Sequence, residues 1–228
     1  MFQTSKSNGA QALTANGWRV SLNAVSGSRR ETRRVARIGI LAFGSLIDDP
    51  REQIEAVEVK AERKRGVSTP FKVEFARSSA TREGAPTLVP FETGAVVAAE
   101  IIVVETSEQH AKDILWRRET GNETGHYRPR ANPSINTLII DTYALAGMPV
   151  VLAARFQPNI QNPTGALLAR LAIASAKKLR DGKDGISYLM DAKRNGIVTP
   201  LSSGYEAEIL RLTGADSLEA AHALLSPR

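Results

Sequence analysis

Residues 95–104, AVVAAEIIVV, hold a single acid among nine apolar residues. A β-branched run of this kind is too apolar for a strand with one wet face. It predicts a strand covered on both sides. Residues 38–43, IGILAF, form a second such run and stop at Gly44-Ser45-Leu46. That pattern predicts a buried central strand followed by a tight turn. Two buried strands need cover above and below, which a chain of 228 residues can supply without cross-links.

The remaining segments fit around that pair. Asp48, Asp49 and Pro50 offer a helix start. Residues 69–79 predict a strand with Phe71, Val73 and Phe75 on one face, and residues 87–91 a short strand closed by Thr93-Gly94. Ser107 is placed to cap a helix that ends near Thr120-Gly121, where glycine can take the left-handed conformation. Residues 135–145 and 150–156 predict two strands joined by a hairpin through Ala146-Gly147-Met148-Pro149. Beyond Pro163 the period becomes helical, over residues 165–180, 184–192, 205–212 and 218–225. Ser202 or Ser203 could cap the third of these and Ser217 the fourth. A block of strands with one inserted helix, then a block of helices, predicts an α+β fold or a small mixed α/β barrel with its helices gathered on one side.

Charge divides the chain differently. Residues 1–37 carry seven basic residues against Glu31, which accounts for the whole net charge of +6. The remainder is balanced. Residues 1–36, rich in Ser, Asn, Gly and Arg, predict a basic, disordered tail, and residues 37–228 the folded domain. Such a tail also fits an organelle transit peptide, or a salt-sensitive contact with RNA or an anionic membrane. The body shows no nucleic-acid footprint, and no apolar run approaches the ~20 residues of a membrane helix.

Several chemistries are absent from the sequence. With no cysteine there is no thiol nucleophile, disulfide or Cys-ligated metal, which suits a reducing compartment such as the cytoplasm. His110, His126 and His222 lie far apart without metal-ligand spacing. Ser45 lacks the Gly-x-Ser-x-Gly elbow of a serine hydrolase, with His126 as its one plausible base. Neither a Walker loop nor GxGxxG occurs.

Two features remain. The turn Phe43-Gly44-Ser45-Leu46 leaves a buried strand, where successive backbone N–H groups can hold a carboxylate or carbonyl oxygen; an ordinary strand end would look the same. The second is the helix end Trp116-Arg117-Arg118-Glu119, followed by Glu123, His126 and Tyr127. A carboxylate at a helix C-terminus sits at the negative end of the dipole, which disfavours its charged form. An apolar pocket would add desolvation, and a Glu so placed can shuttle protons near neutral pH. The competing reading is that Glu119 simply pairs with Arg118 or solvent.

In this order and separation, the motifs resemble the γ-glutamylcyclotransferase-like family, across about residues 37–212. Its members open with a strand ending in Tyr-Gly-Ser-(Leu/Asn), here Phe43-Gly44-Ser45-Leu46. They continue to a helix of the form Leu-Asp-x-x-Glu-Gly, here Leu115-Trp116-Arg117-Arg118-Glu119-Thr120, with Tyr127 eight residues after the Glu. Gly185-Ile186-Ser187-Tyr188-Leu189 through Asn195-Gly196-Ile197 is similar to the family's C-terminal helical region. The resemblance implies a small mixed barrel with one pocket and a γ-glutamyl amine or peptide as substrate. Phe43, Gly44, Ser45, Leu46 and Tyr127 would bind it, and Glu119 would be the acid/base. The substrate's own amine would attack its γ-carbonyl to release 5-oxoproline, with no cofactor or metal. Phe43 lacks the family's tyrosine hydroxyl, Trp116 stands where Asp is frequent, and Thr120 replaces Gly. Those departures leave open a non-catalytic binding or regulatory module on the same fold, and Glu123 is a rival for the acid/base role.

Overall fold

In a computed structural model, residues 36–179 and 183–226 are described; the tail expected over residues 1–36 lies outside them but for its last residue. The α+β expectation holds, and the barrel does not. Among the described residues, β1 (Arg37–Ala42), β2 (Lys64–Ser68), β5 (Ala98–Glu105), β6 (Ile139–Leu145) and β7 (Met148–Arg155) form an open five-stranded sheet in the order β2-β5-β1-β7-β6. β3 (Val73–Ser79) and β4 (Ala85–Pro90) make a separate antiparallel hairpin, so the strands do not close on one another.

The two apolar runs are neighbours at the centre. β1 pairs antiparallel with β5, Ile40 opposite Ile102, and parallel with β7, Ile40 beside Leu152. Alternation splits their side chains between two faces. Ile38, Ile40, Ile102, Val104 and Leu152 pack with Ala111, Ile114 and Leu115 of helix α2 (Glu108–Thr120). Leu41, Ile101, Val103, Val151 and Ala153 pack on the other face beneath Phe43, Phe71, Val59 and Tyr143. Each such side chain removed from water is worth about 1.5–3 kcal/mol.

β2 was not expected. Its sequence, KRGVS, is polar, and it is an edge strand whose structure comes from pairing with β5. The first helix, α1 (Glu52–Glu55), is a single turn that begins after the Asp48–Pro50 signal.

The helices after Pro163 form a second layer with the hairpin. α3 (Gly165–Ala176), α4 (Gly185–Arg194), α5 (Ser202–Thr213) and α6 (Leu218–Leu225) gather Leu168, Ala172, Ile186, Leu189, Tyr205 and Ile209 around Val73, Phe75 and Leu88. Ser217 caps α6 as expected, accepting from the Ala220 amide at 3.1 Å. The serines expected to cap α5 do not do so. Leu201 occupies that position, and its N–H reaches the buried carboxylate of Glu74 on β3 instead, at 3.2 Å. Asp184 caps α4 through the amides of Ile186 and Ser187. No helix among the described residues is long and apolar enough to cross a membrane.

Candidate active site

β1 and β7 run parallel, so their C-terminal ends share one edge of the sheet. Carrying the register of Ile40 beside Leu152 forward sets Phe43 abreast of Arg155. A cavity of about 670 Å³ opens there. The turn contributes Phe43, Ser45 and Leu46; the end of β7 contributes Arg155 and Phe156; the last turn of α2 contributes Arg118 and Glu119. The β3–β4 hairpin closes it from the second layer with Arg77, Thr81, Arg82, Thr87 and Leu88, and α4 contributes Tyr188.

The turn is a 3-10 turn, Gly44–Leu46. Gly44 has φ +60°, and a Cβ there would lie 2.6 Å from the Tyr188 hydroxyl. Left-handed backbone and close approach together demand glycine. The Leu46 N–H is used within the 3-10 turn and the Gly44 carbonyl accepts from Ile47 at 3.2 Å, whereas the Gly44 and Ser45 N–H groups have no backbone acceptor among the described residues. Of these two, Ser45 lines the cavity and Gly44 does not.

Local chemistry places Glu119. Ser107 starts α2, its hydroxyl accepting from His110 N–H at 3.2 Å, and Gly121 ends it at φ +72°. Both signals are legible in the sequence. With these ends fixed, Glu119 falls in the final turn on the cavity side. Its Oε1 accepts from Arg118 Nη1 at 2.7 Å, the arginine side chain being 8% exposed and the glutamate 21%. The expected pairing with Arg118 is therefore present, and the cavity position is present as well. No partner for Oε2 exists among the described residues.

Arg118 links the two candidate features. Besides Glu119, it donates to the Asp49 carbonyl from Nε at 3.0 Å and Nη2 at 2.7 Å, and makes a long 3.4 Å contact to Ser45 Oγ. One guanidinium thus fixes the acid relative to the loop that follows the turn. Tyr188 is the other residue that spacing did not single out. Its ring packs under Arg82, 5.0 Å from the guanidinium carbon, and its hydroxyl accepts from Leu88 N–H at 3.3 Å. Burial first, then the nearby charge of Glu119, pushes its phenol up, against opposing effects of the Leu88 amide and the Arg82 and Arg118 charges.

Other sequence candidates are placed elsewhere. Tyr127 is buried under the sheet with Ile114 and Leu138, its hydroxyl accepting from Ile140 N–H at 3.0 Å, and it does not line the cavity. A core tyrosine with its hydroxyl so engaged holds β6 in place. Glu123 is exposed and also absent from the lining. His126 is 71% exposed and bonds Asp113 at 2.7 Å. Burial works against ionisation of Asp113. Hydrogen bonds from His126, Gln109 and the Tyr127 amide outweigh it and hold the carboxyl below its usual range. The Ser45–His126 hydrolase pair is thus not assembled: His126 is not among the residues lining the cavity beside Ser45.

One further cluster has the residue types of a triad. Ser187 Oγ lies 3.1 Å and Asp184 Oδ2 2.9 Å from the same nitrogen, His222 Nε2. A triad needs the acid and the serine on opposite ring nitrogens. Here both meet one nitrogen, and the cluster ties α6 to the start of α4. A shallower depression of about 440 Å³, lined by Phe71, Tyr143 and Arg155, has its acid, Asp141, paired with Arg155.

No protein-family model matches this chain, and neither the curated proteins nor the solved structures contain a match to it.

Proposed function

We propose that the protein is a γ-glutamylcyclotransferase-like enzyme that releases 5-oxoproline from a γ-glutamyl amine or peptide, acting in the cytoplasm without a cofactor. The observation that carries this reading is the shared cavity. Glu119 and the turn residues Ser45 and Leu46 line one space, and Arg118, 73 residues from Ser45, touches both the acid and the Ser45 hydroxyl.

The chemistry follows from that pairing. The substrate's γ-carbonyl oxygen lies against the Ser45 amide of the turn, which stabilises the charge that develops when the carbonyl is attacked. Its own α-amine, once deprotonated, forms the new N–C bond and closes a five-membered ring. Holding both groups in one molecule lowers the barrier by proximity. Collapse of the tetrahedral centre breaks the bond to the departing amine. The attacking ammonium loses two protons in all and the departing nitrogen gains two. Glu119 accepts and hands on each in turn and ends as it began.

Tyr188 brings a phenol hydroxyl to the turn. Its hydroxyl lies against Gly44, where Phe43 has none. The test is incubation with γ-glutamyl amides, with 5-oxoproline as readout. Wild type gives product and Glu119→Gln loses about 10²–10⁴-fold, the span of general acid–base catalysis. Equal product from both removes Glu119 from the mechanism.

A second reading, a binding module without turnover, is favoured by the occupancy of one Glu119 oxygen by Arg118. It predicts ligand binding with no 5-oxoproline from any γ-glutamyl compound.

A further inference from the structure

The cavity holds more positive charge than its acids neutralise. Five arginines line it, at positions 51, 77, 82, 118 and 155, against Asp49 and Glu119. Arg51 faces Asp49 at 3.9 Å, Arg118 pairs with Glu119, and Arg155 pairs with Asp141 behind it. Arg77 and Arg82 have no carboxylate partner among the described residues.

These two differ in what they have left to give. Arg77 donates to the carbonyls of Ile135 and Gln157 and to Asn136 Oδ1, and stacks on Phe156 at 4.6 Å. Three of its five N–H groups are thereby used. Burial pushes its guanidinium down, although an arginine in a protein stays charged. It is a fixed cation in a half-dry wall. Arg82 donates once, to the Lys183 carbonyl at 3.0 Å, and rests on the Tyr188 ring. Stacking orients its fork while most of its donors remain free. Ser79 and Thr81, hydroxyl to hydroxyl at 3.1 Å on the same turn, add neutral donors beside it.

Two guanidiniums without a carboxylate partner on the hairpin wall call for negative charge on the guest beyond the single carboxylate of its glutamyl half. We propose that the amine released from this cavity carries a doubly anionic group, either two carboxylates or one phosphate ester, received by Arg82 and Arg77 of the same cavity wall. That this group leaves with the amine rests on the cyclotransferase reading, whereas the anion site rests on the cavity's residues alone.

The test is calorimetric titration of the full-length Glu119→Gln protein, in which turnover is blocked, with three probes. γ-Glutamylglutamate carries two carboxylates beyond the scissile bond, γ-glutamylphosphoethanolamine one phosphate, and γ-glutamylmethylamide neither. At least one anionic probe binds tenfold or more tighter than the methylamide, and which one does so identifies the acid group. Arg82→Gln added to that protein removes the advantage and leaves methylamide binding unchanged, while Arg82→Lys retains part of it. Thermal unfolding of each variant confirms folding. Should a variant fail to fold, raising the salt concentration is the substitute, and it weakens the anionic probes selectively. Equal affinity for all three probes overturns the proposal, as does an anion advantage that survives Arg82→Gln. Tight, Arg82-dependent binding of an anionic probe to wild type without 5-oxoproline leaves the anion site standing and removes the cyclotransferase reading. Turnover without anion preference does the reverse.

Discussion

Glu74 and Glu119 are both drawn into the protein, and their surroundings are opposite. Glu74, 1% exposed on β3, lies at the N-terminus of α5, where the helix dipole favours negative charge. Its Oε1 accepts from Phe75 N–H at 2.8 Å and Thr199 Oγ1 at 2.6 Å, and its Oε2 from Leu201 N–H. Glu119 sits in the last turn of α2, at the other pole of a helix, with one oxygen on Arg118 and the other turned loose beside a cavity. A carboxylate with both oxygens engaged at a favourable helix end is a joint between elements. One with an unused oxygen beside a cavity is left open to a guest.

The largest effect that would break this contrast is kinetic. Glu119→Gln is expected to lose the proposed 5-oxoproline release by 10²–10⁴-fold, about 3–5.5 kcal/mol of transition-state stabilisation, while the midpoint of urea unfolding hardly moves. Next in size is its mirror image. Glu74→Gln turns an amide NH₂ towards the Leu201 or Phe75 N–H, leaving buried donors facing each other, and costs about 2–3 kcal/mol in the same urea titration. A Glu74 variant as stable as wild type would dissolve the distinction.

A third acid sharpens it through pH. Burial opposes ionisation of Asp184, but the Ser187 hydroxyl and amide, the Ile186 amide and the His222 charge more than offset that and depress its carboxyl. The sign follows: its contribution is complete above the unfolded value of about 3.9 and is lost as pH falls through the lower folded value. Asp184→Ala is therefore expected to cost about 1–2 kcal/mol at pH 7, as the loss of an N-cap does, with the gap to wild type narrowing towards pH 3. A gap that stays constant with pH would show that the charge contributes nothing. Smallest is Thr199→Val, which deletes one bond to Glu74 and costs about 1 kcal/mol without touching activity.

Much of this was legible in the chain because it is local. Ser107 and Gly121 bracket α2 by their own backbone chemistry, and that bracket carries Glu119 to the cavity. The turn at Gly44 is equally local. What could not be read was set by partners distant in sequence. β2 is a strand because β5 lies beside it. The open sheet replaces a barrel because β3 and β4 pair with each other and turn towards the helices. Spacing from Glu119 points to Tyr127 and not to Tyr188, yet the Tyr127 hydroxyl meets Ile140 under the sheet and the Tyr188 hydroxyl meets Leu88 beside Gly44. Arg77, Arg82, Arg118 and Arg155 come from four separate elements, so no window of sequence displays their convergence.

The parallel seam between β1 and β7 sets when the site can exist. About a hundred residues separate the two strands, and closing so long a loop is entropically slow. A growing chain already owns its turn and its acid well before β7 is made, yet it has no chamber for them to share. The chamber is complete later still, when α4 brings Tyr188 to its wall.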